Sequence, residues 1–166
     1  RLARLKIYRS VLQKPAFTPE RRGILAHLCL ENLHLSGPGR EEEDVTRAVA
    51  HAMRLFPLPL ENPEAAAEAV REALLWFVRQ PETPRLLRLG LREQGIIDAS
   101  GNRLRADLLV PDEHEVVALD YKTGRPDPAH ERQVRTYMTL AGTVLGKSAR
   151  GVLVYLDERR IVEVAP

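Results

Sequence analysis

Cysteine is almost absent from the chain: the 166 residues hold one, Cys29. A lone thiol excludes an internal disulfide framework, an all-cysteine zinc site and an iron–sulfur cluster held by this chain's cysteines alone. Cys29 lies in an apolar run and reads as a small core residue, and a reducing, cytoplasmic setting is the expectation. No run of 18 apolar residues occurs, so no membrane-spanning helix and no membrane partner are expected. The opening "RLARLKIYRS" lacks the apolar centre of a secretory signal. It begins on Arg1 rather than Met, which reads as a piece of a longer polypeptide. No Gly-x-x-x-x-Gly-Lys-[Ser/Thr] phosphate loop is present, so any ATP use would belong to another domain. Aromatic residues make up 5% of the chain and form no stacking motif, and there is no zinc-finger pattern; sequence-specific nucleic-acid recognition therefore has no support.

Lysine is scarce too. Of 25 basic residues only Lys6, Lys14, Lys122 and Lys147 are lysines, and the rest are arginines. A net charge of +2 permits nucleic-acid binding without arguing for it. A chain that favours arginine uses lysine in "VVALDYKTG", where a compact ammonium with a movable pKa differs from a fixed planar cation.

With 44% hydrophobic and 29% charged residues, the chain can build one core under a solvated surface, and a single domain over 1–166 is expected. Thr18-Pro19-Glu20 reads as a helix start, followed by apolar residues from Ile24 to Leu35 and the breaker Ser36-Gly37-Pro38-Gly39. Helices are expected over about 41–56 and 64–78, the latter ending near Pro81 and Pro84. Together 40–88 reads as a helical insertion. From 91 the texture changes. Strands are expected at 91–97, around Leu104 to Val110 with alternating inward residues, and at 116–121. A turn falls at 98–102, with Asp98 part of it. A helix over 128–145 and strands at 151–156 and 160–164 close the chain.

In "VVALDYKTG", Asp120 and Lys122 are two apart on a strand and so share a face, while Tyr121 points away and leaves its carbonyl near the same end. Asp107, one strand earlier, can meet them if the register allows. Two carboxylates and a carbonyl make an oxygen-lined pocket suited to Mg²⁺ or Mn²⁺, and a lysine beside it can hold a water and neutralise developing charge. The plain alternative is that Asp120 and Lys122 are a surface ion pair, which contributes about 0–1 kcal/mol.

"RADLLVPDEHEVVALDYKTG" resembles the core of RecB-family nucleases in the PD-(D/E)XK superfamily, and most closely the C-terminal nuclease domains of AddA- and RecB-type helicase–nucleases. "RGILAHLCLE" resembles the family's Gly-x-x-x-His-x-x-Leu-Glu helix and places Gly23, His27, Leu30 and Glu31. "REQGIID" resembles the strand that opens the core, and "RQVRTYMTL" the Gln-x-x-x-Tyr helix with Gln133 and Tyr137. The likeness spans about 21–35 and 91–164. Ala106 stands where the superfamily's name has proline.

The resemblance implies an α/β fold of the restriction-endonuclease kind, a central mixed sheet flanked by helices. It implies metal-binding acids Asp107 and Asp120, the main-chain carbonyl of Tyr121, and His27 reaching the metal from the first helix. Lys122 would position the attacking water, with Gln133 and Tyr137 lining the site beside it. Arg103, Arg105, Arg125, Arg132 and Arg135 surround these segments, and some would hold backbone phosphates without reading sequence. DNA, single-stranded by resemblance, would be the substrate in end processing and recombinational repair. A helicase domain in the same polypeptide and a second helicase–nuclease subunit would be the partners. A catalytically inactive nuclease fold kept for DNA binding or subunit docking, and a helix–sheet interaction domain, are the competing readings. Glu31 and His34 share a helix face with His27 and read as supporting residues. Glu93 and Asp98 are weaker candidates, and His51, His114 and His130 read as solvated surface.

Overall fold

The computed structural model describes residues 17–97, 100–101 and 103–166; the expected turn residue Asp98 lies outside them. Helix α1 (Pro19–Glu31) starts where the sequence places it, with Thr18 Oγ1 accepting the Arg21 N–H. It ends four residues before Leu35. The Asn32 side chain donates to the Leu28 carbonyl and the Asn32 N–H to that of Cys29, closing the last turn. Helices α2 (Glu41–Leu55) and α3 (Pro63–Val78) follow. A short helix α4 (Thr83–Leu89) then occupies a stretch the sequence reads only as a break. Pro84 sits in its first turn, where the missing N–H costs nothing, so this proline starts a helix rather than ending one.

Strands β1 (Leu91–Ile97), β2 (Arg103–Pro111) and β3 (Glu115–Lys122) form an antiparallel meander. Helix α5 (Pro128–Leu145) crosses over to β4 (Ser148–Tyr155), which runs parallel to β3, and β5 (Arg160–Val164) returns antiparallel. The result is one mixed sheet in the order β1-β2-β3-β4-β5.

Helices pack on both faces, so β3 is buried from Val116 to Tyr121, which explains its near-continuous apolar run. On one face Leu25, Cys29, Leu33 and Phe77 from α1 and α3 and the loop between α1 and α2 meet Leu108, Leu119 and Tyr121. On the other, Val134, Tyr137 and Met138 of α5 cover Ala118 and Leu153. Gly151 makes that second contact possible: a Cβ there would lie 2.5 Å from Met138 Sδ and 2.6 Å from Val134 Cγ1.

The alternation expected along β2 fails at one point. Leu108 and Val110 face the α1–α4 layer, yet Ala106 packs on the α5 side, although residues two apart in a regular strand share a face. The break falls at Asp107. Its opposite number in β1, Glu93, has φ 52°, a conformation costly for a residue with a Cβ. The ladder keeps one register on either side, Arg92 with Leu108 and Gln94 with Ala106, but skips Glu93 and Asp107. Both acids are thus taken out of the pleat at the same level.

Candidate functional site

The paired kink in β1 and β2 opens under α1. His27 Nδ1 lies 3.3 Å from Asp107 Oδ1. The other oxygen, Asp107 Oδ2, accepts the backbone N–H of Tyr121 at 2.8 Å. That bond joins β2 to β3 where the strand pairs end, since the last cross-strand pair before it is Leu108 with Leu119. The Tyr121 ring is buried against Phe77, edge to face at 5.4 Å, and edge-on to the His27 ring at 6.1 Å. These contacts hold β3 so that Asp120 and Lys122 face the α5 side, beside Leu153 and Tyr155 of β4.

On that side Lys122 Nζ lies 2.5 Å from Asp120 Oδ2 and donates to Gln133 Oε1 at 3.0 Å. Gln133 Nε2 donates in turn to the Tyr137 hydroxyl at 2.7 Å. The residues four apart on α5 therefore form a chain of polar contacts ending on the ammonium. Asp120 is 2% exposed. Despite the nearby ammonium, its Oδ2 has no aligned hydrogen bond. Burial first, and the Asp107 charge second, push its carboxyl up to about 6, against the opposing pull of Lys122 and His27.

Glu93, a weaker candidate in the sequence, is brought into the site by the fold. It faces His27 and Asp107, and one ligand atom from each of the three lies within 4.8 Å of the others. Glu93 Oε2 is buried and makes no aligned hydrogen bond, although Arg105 Nε is 2.8 Å away. Burial raises its carboxyl; Arg105 opposes that rise, and the Asp107 and Glu31 charges add to it. For His27, burial resists protonation. The hydrogen bond to Asp107 and the charges of Asp107, Asp120 and Glu93 outweigh it, so its pKa is raised. An imidazole and two carboxylates, those of His27, Glu93 and Asp107, bring ligand atoms close enough together to fit a divalent cation. His27, Glu93 and Asp107 are the residues that could hold it; Asp120 stands outside this group, its Oδ2 2.5 Å from the Lys122 ammonium.

The loop after β3 is anchored to α1. Gly124 N donates to Asp157 Oδ2 at 2.8 Å, and Arg22 pairs with the same oxygen at 2.7 Å. Thr123 Oγ1 donates to the Pro19 carbonyl, and a Cβ on Gly23 would lie 3.0 Å from that hydroxyl. Gly23 lets the first helix approach the end of β3 closely enough for His27 to meet Asp107.

Other sequence candidates fall outside this cluster. Glu31 lines a small cavity with His27, Glu93 and Asp107, but His34 is exposed beyond the end of α1. Arg105 pairs with Glu93, and Arg135 with Glu131. Arg103, Arg125 and Arg132 are exposed. His51 is half-buried and contacts Arg54 at 3.2 Å, while His114 is exposed. His130 is not plain solvated surface: its Nδ1 is 3.2 Å from the Tyr155 hydroxyl, and burial followed by the Lys122 charge lowers its pKa.

A mixed five-stranded sheet, helices on both faces and a carboxylate–lysine cluster where β3 ends define an α/β fold of the PD-(D/E)XK kind. The family model of the PD-(D/E)XK nuclease superfamily matches residues 1–165, and the chain belongs to that superfamily. That superfamily is one of nucleases. No curated protein matches the chain significantly. Among the described residues, no helix is long and apolar enough to cross a membrane.

Proposed function

We propose that the protein is a metal-dependent deoxyribonuclease that hydrolyses phosphodiester bonds, acting on single-stranded DNA as the nuclease module of an AddA- or RecB-type helicase–nuclease in end processing and recombinational repair. The observation that carries it is the convergence of Asp107 and Glu93, both out of the strand ladder, on His27, together with the Asp120–Lys122 pair at the end of β3.

Asp107 and Asp120, with His27, Glu93 and the Tyr121 carbonyl, would hold Mg²⁺ or Mn²⁺. When bound, such a cation supplies positive charge against the phosphate and makes water more acidic. The chain's own groups do the rest. Lys122 orients the attacking water and donates to the phosphate oxygens as negative charge builds on them. Gln133 holds the Lys122 ammonium from the α5 side, and Tyr137 holds Gln133, which fixes the ammonium's position. Arg103, Arg125 and Arg132, exposed and without an ion pair among the described residues, would meet backbone phosphates, which positions the strand without reading its bases. The RecB-like motifs support the helicase–nuclease setting, where strand threading would come from a motor domain elsewhere in the polypeptide.

The test is cleavage of end-labelled single-stranded DNA in Mg²⁺ or Mn²⁺ against Asp120→Ala and Lys122→Ala. Metal-dependent cutting by the parent, lost in both variants, is the expected result. Full activity in either variant, or cutting that persists in excess chelator, would overturn the assignment. A parent that binds Mn²⁺ and DNA but cuts neither single- nor double-stranded DNA would favour the docking-module reading.

A further inference from the structure

A second recess adjoins the candidate site. It has a volume of about 590 Å³ and lies between the loop after α1 and helix α4. Arg92 is the shared wall: it lines this recess and also the small cavity that holds His27, Glu93 and Asp107. Its guanidinium is fixed by donating to the carbonyls of Leu30, Leu33 and Leu87, which ties α1 and α4 to the start of β1. Arg85 stands at the rim, paired with Asp112. Arg88 and His34 also line the recess, and neither makes an ion pair or hydrogen bond among the described residues.

The lining has two chemistries. With Arg85 neutralised by Asp112, Arg88 and Arg92 face a single acid, Glu41, so the recess favours an anion. Pro38, Pro81 and Pro84 give it apolar wall as well. A bare phosphate has no use for that wall, and an apolar ligand has no use for the arginines. A nucleotide unit uses both, since its phosphate takes a guanidinium and its base or sugar takes the apolar surface. The shared Arg92 wall makes a strand running from the candidate site the natural source of that unit.

We infer that this recess is a strand-holding subsite for single-stranded DNA, with Arg88 on a backbone phosphate and Pro38, Pro81 and Pro84 against a base or sugar. The inference rests on the nuclease reading above. Arg88 touches no reacting atom, so it acts by retaining the strand.

The test is fluorescence anisotropy of labelled oligothymidylate in chelator, with parent, Arg88→Ala and Arg88→Glu, over a range of salt. Arg88→Ala should weaken binding about fivefold and lower the slope of log affinity against log salt by about 0.7, the value for one single-strand phosphate contact. Arg88→Glu should weaken binding tenfold or more. In cleavage, both variants should raise KM and leave kcat near the parent's. Unchanged affinity and salt slope in both variants, with the parent still cutting DNA, would overturn this inference alone. A parent that neither binds nor cuts DNA removes the nuclease reading, and this one with it. Thymidine monophosphate that competes as strongly as the oligomer would also overturn it, because the recess would then be a free-nucleotide site. Arg88 is exposed and has no ion pair among the described residues, and thermal unfolding of both variants checks that the fold is kept.

Discussion

The carboxylate of Asp107 accepts the backbone N–H of Tyr121 at 2.8 Å, one residue before Lys122. One side chain thus sets the end of β3 and, through its other oxygen, meets His27. Its structural and metal-holding roles can be separated. Asp107→Ala leaves a buried N–H without a partner and should cost about 1–3 kcal/mol in urea unfolding. Asp107→Asn keeps an acceptor for that N–H and should lie within about 1 kcal/mol of the parent. Both should lose Mn²⁺ binding by calorimetry. Equal destabilisation by the two variants would show that the N–H bond does not hold the strand end.

Glu93 should trade stability for metal affinity. Its backbone at φ 52° costs about 1 kcal/mol or more in a residue with a Cβ, and its carboxylate crowds that of Asp107. Glu93→Gly removes both penalties, so the metal-free protein should melt at a higher temperature. The same change should weaken Mn²⁺ binding at least tenfold, as should Glu93→Gln, which leaves the backbone as it is. A glycine variant with parental Mn²⁺ affinity would take Glu93 out of the metal site.

Gly151 tests whether α5 must sit close to β4 for the site to work. An alanine there would meet Val134 and Met138 well inside van der Waals distance, and overpacking of this kind costs about 1–3 kcal/mol. Because α5 carries Gln133 and Tyr137, cleavage at a temperature where the variant stays folded should fall as well. Adding Met138→Ala should restore part of both. Full activity in Gly151→Ala would mean that the position of α5 has little to do with catalysis.

Asp44 gives the fold an acid-sensitive anchor. It is 2% exposed and accepts the Ser36 N–H at 2.6 Å and the Ser36 hydroxyl at 2.8 Å, with Arg47 at 3.2 Å. Burial works to raise its carboxyl, but the two Ser36 bonds and the Arg47 and Arg40 charges outweigh it and hold it below the usual carboxylate range. A depressed folded pKa means that the contribution is complete above the unfolded carboxyl's range and is lost as pH falls through the folded value. Asp44→Asn should cost about 1–3 kcal/mol at pH 6. It should cost clearly less at pH 3, where the parent is losing the same contribution. A cost that does not change with pH would contradict the assignment.

Much of the sheet could be read from the chain because its signals are local. "VVALDYKTG" carries a buried strand, two same-face polar residues and a turn in nine letters, and Thr18-Pro19 marks a helix start by capping chemistry alone. Three features could not be read that way. Helix α4 hides behind Pro81 and Pro84, since proline looks like a break whether it ends a helix or begins one. Glu93 reaches the site through a positive φ and a skipped strand pair, and a period-two pattern cannot register a residue that leaves the pleat. His130 meets Tyr155 across the α5–β4 contact, between residues 25 positions apart. Each depends on tertiary placement rather than on residue type at a fixed spacing.

The most direct measurement is anomalous diffraction from crystals of the protein soaked in Mn²⁺. The account predicts a peak within bonding distance of the Asp107 and Asp120 carboxylates, reached also by Glu93 or His27, and no such peak in Asp107→Asn. A protein that cuts DNA only with Mn²⁺ yet binds the ion elsewhere, leaving these carboxylates empty, would contradict it.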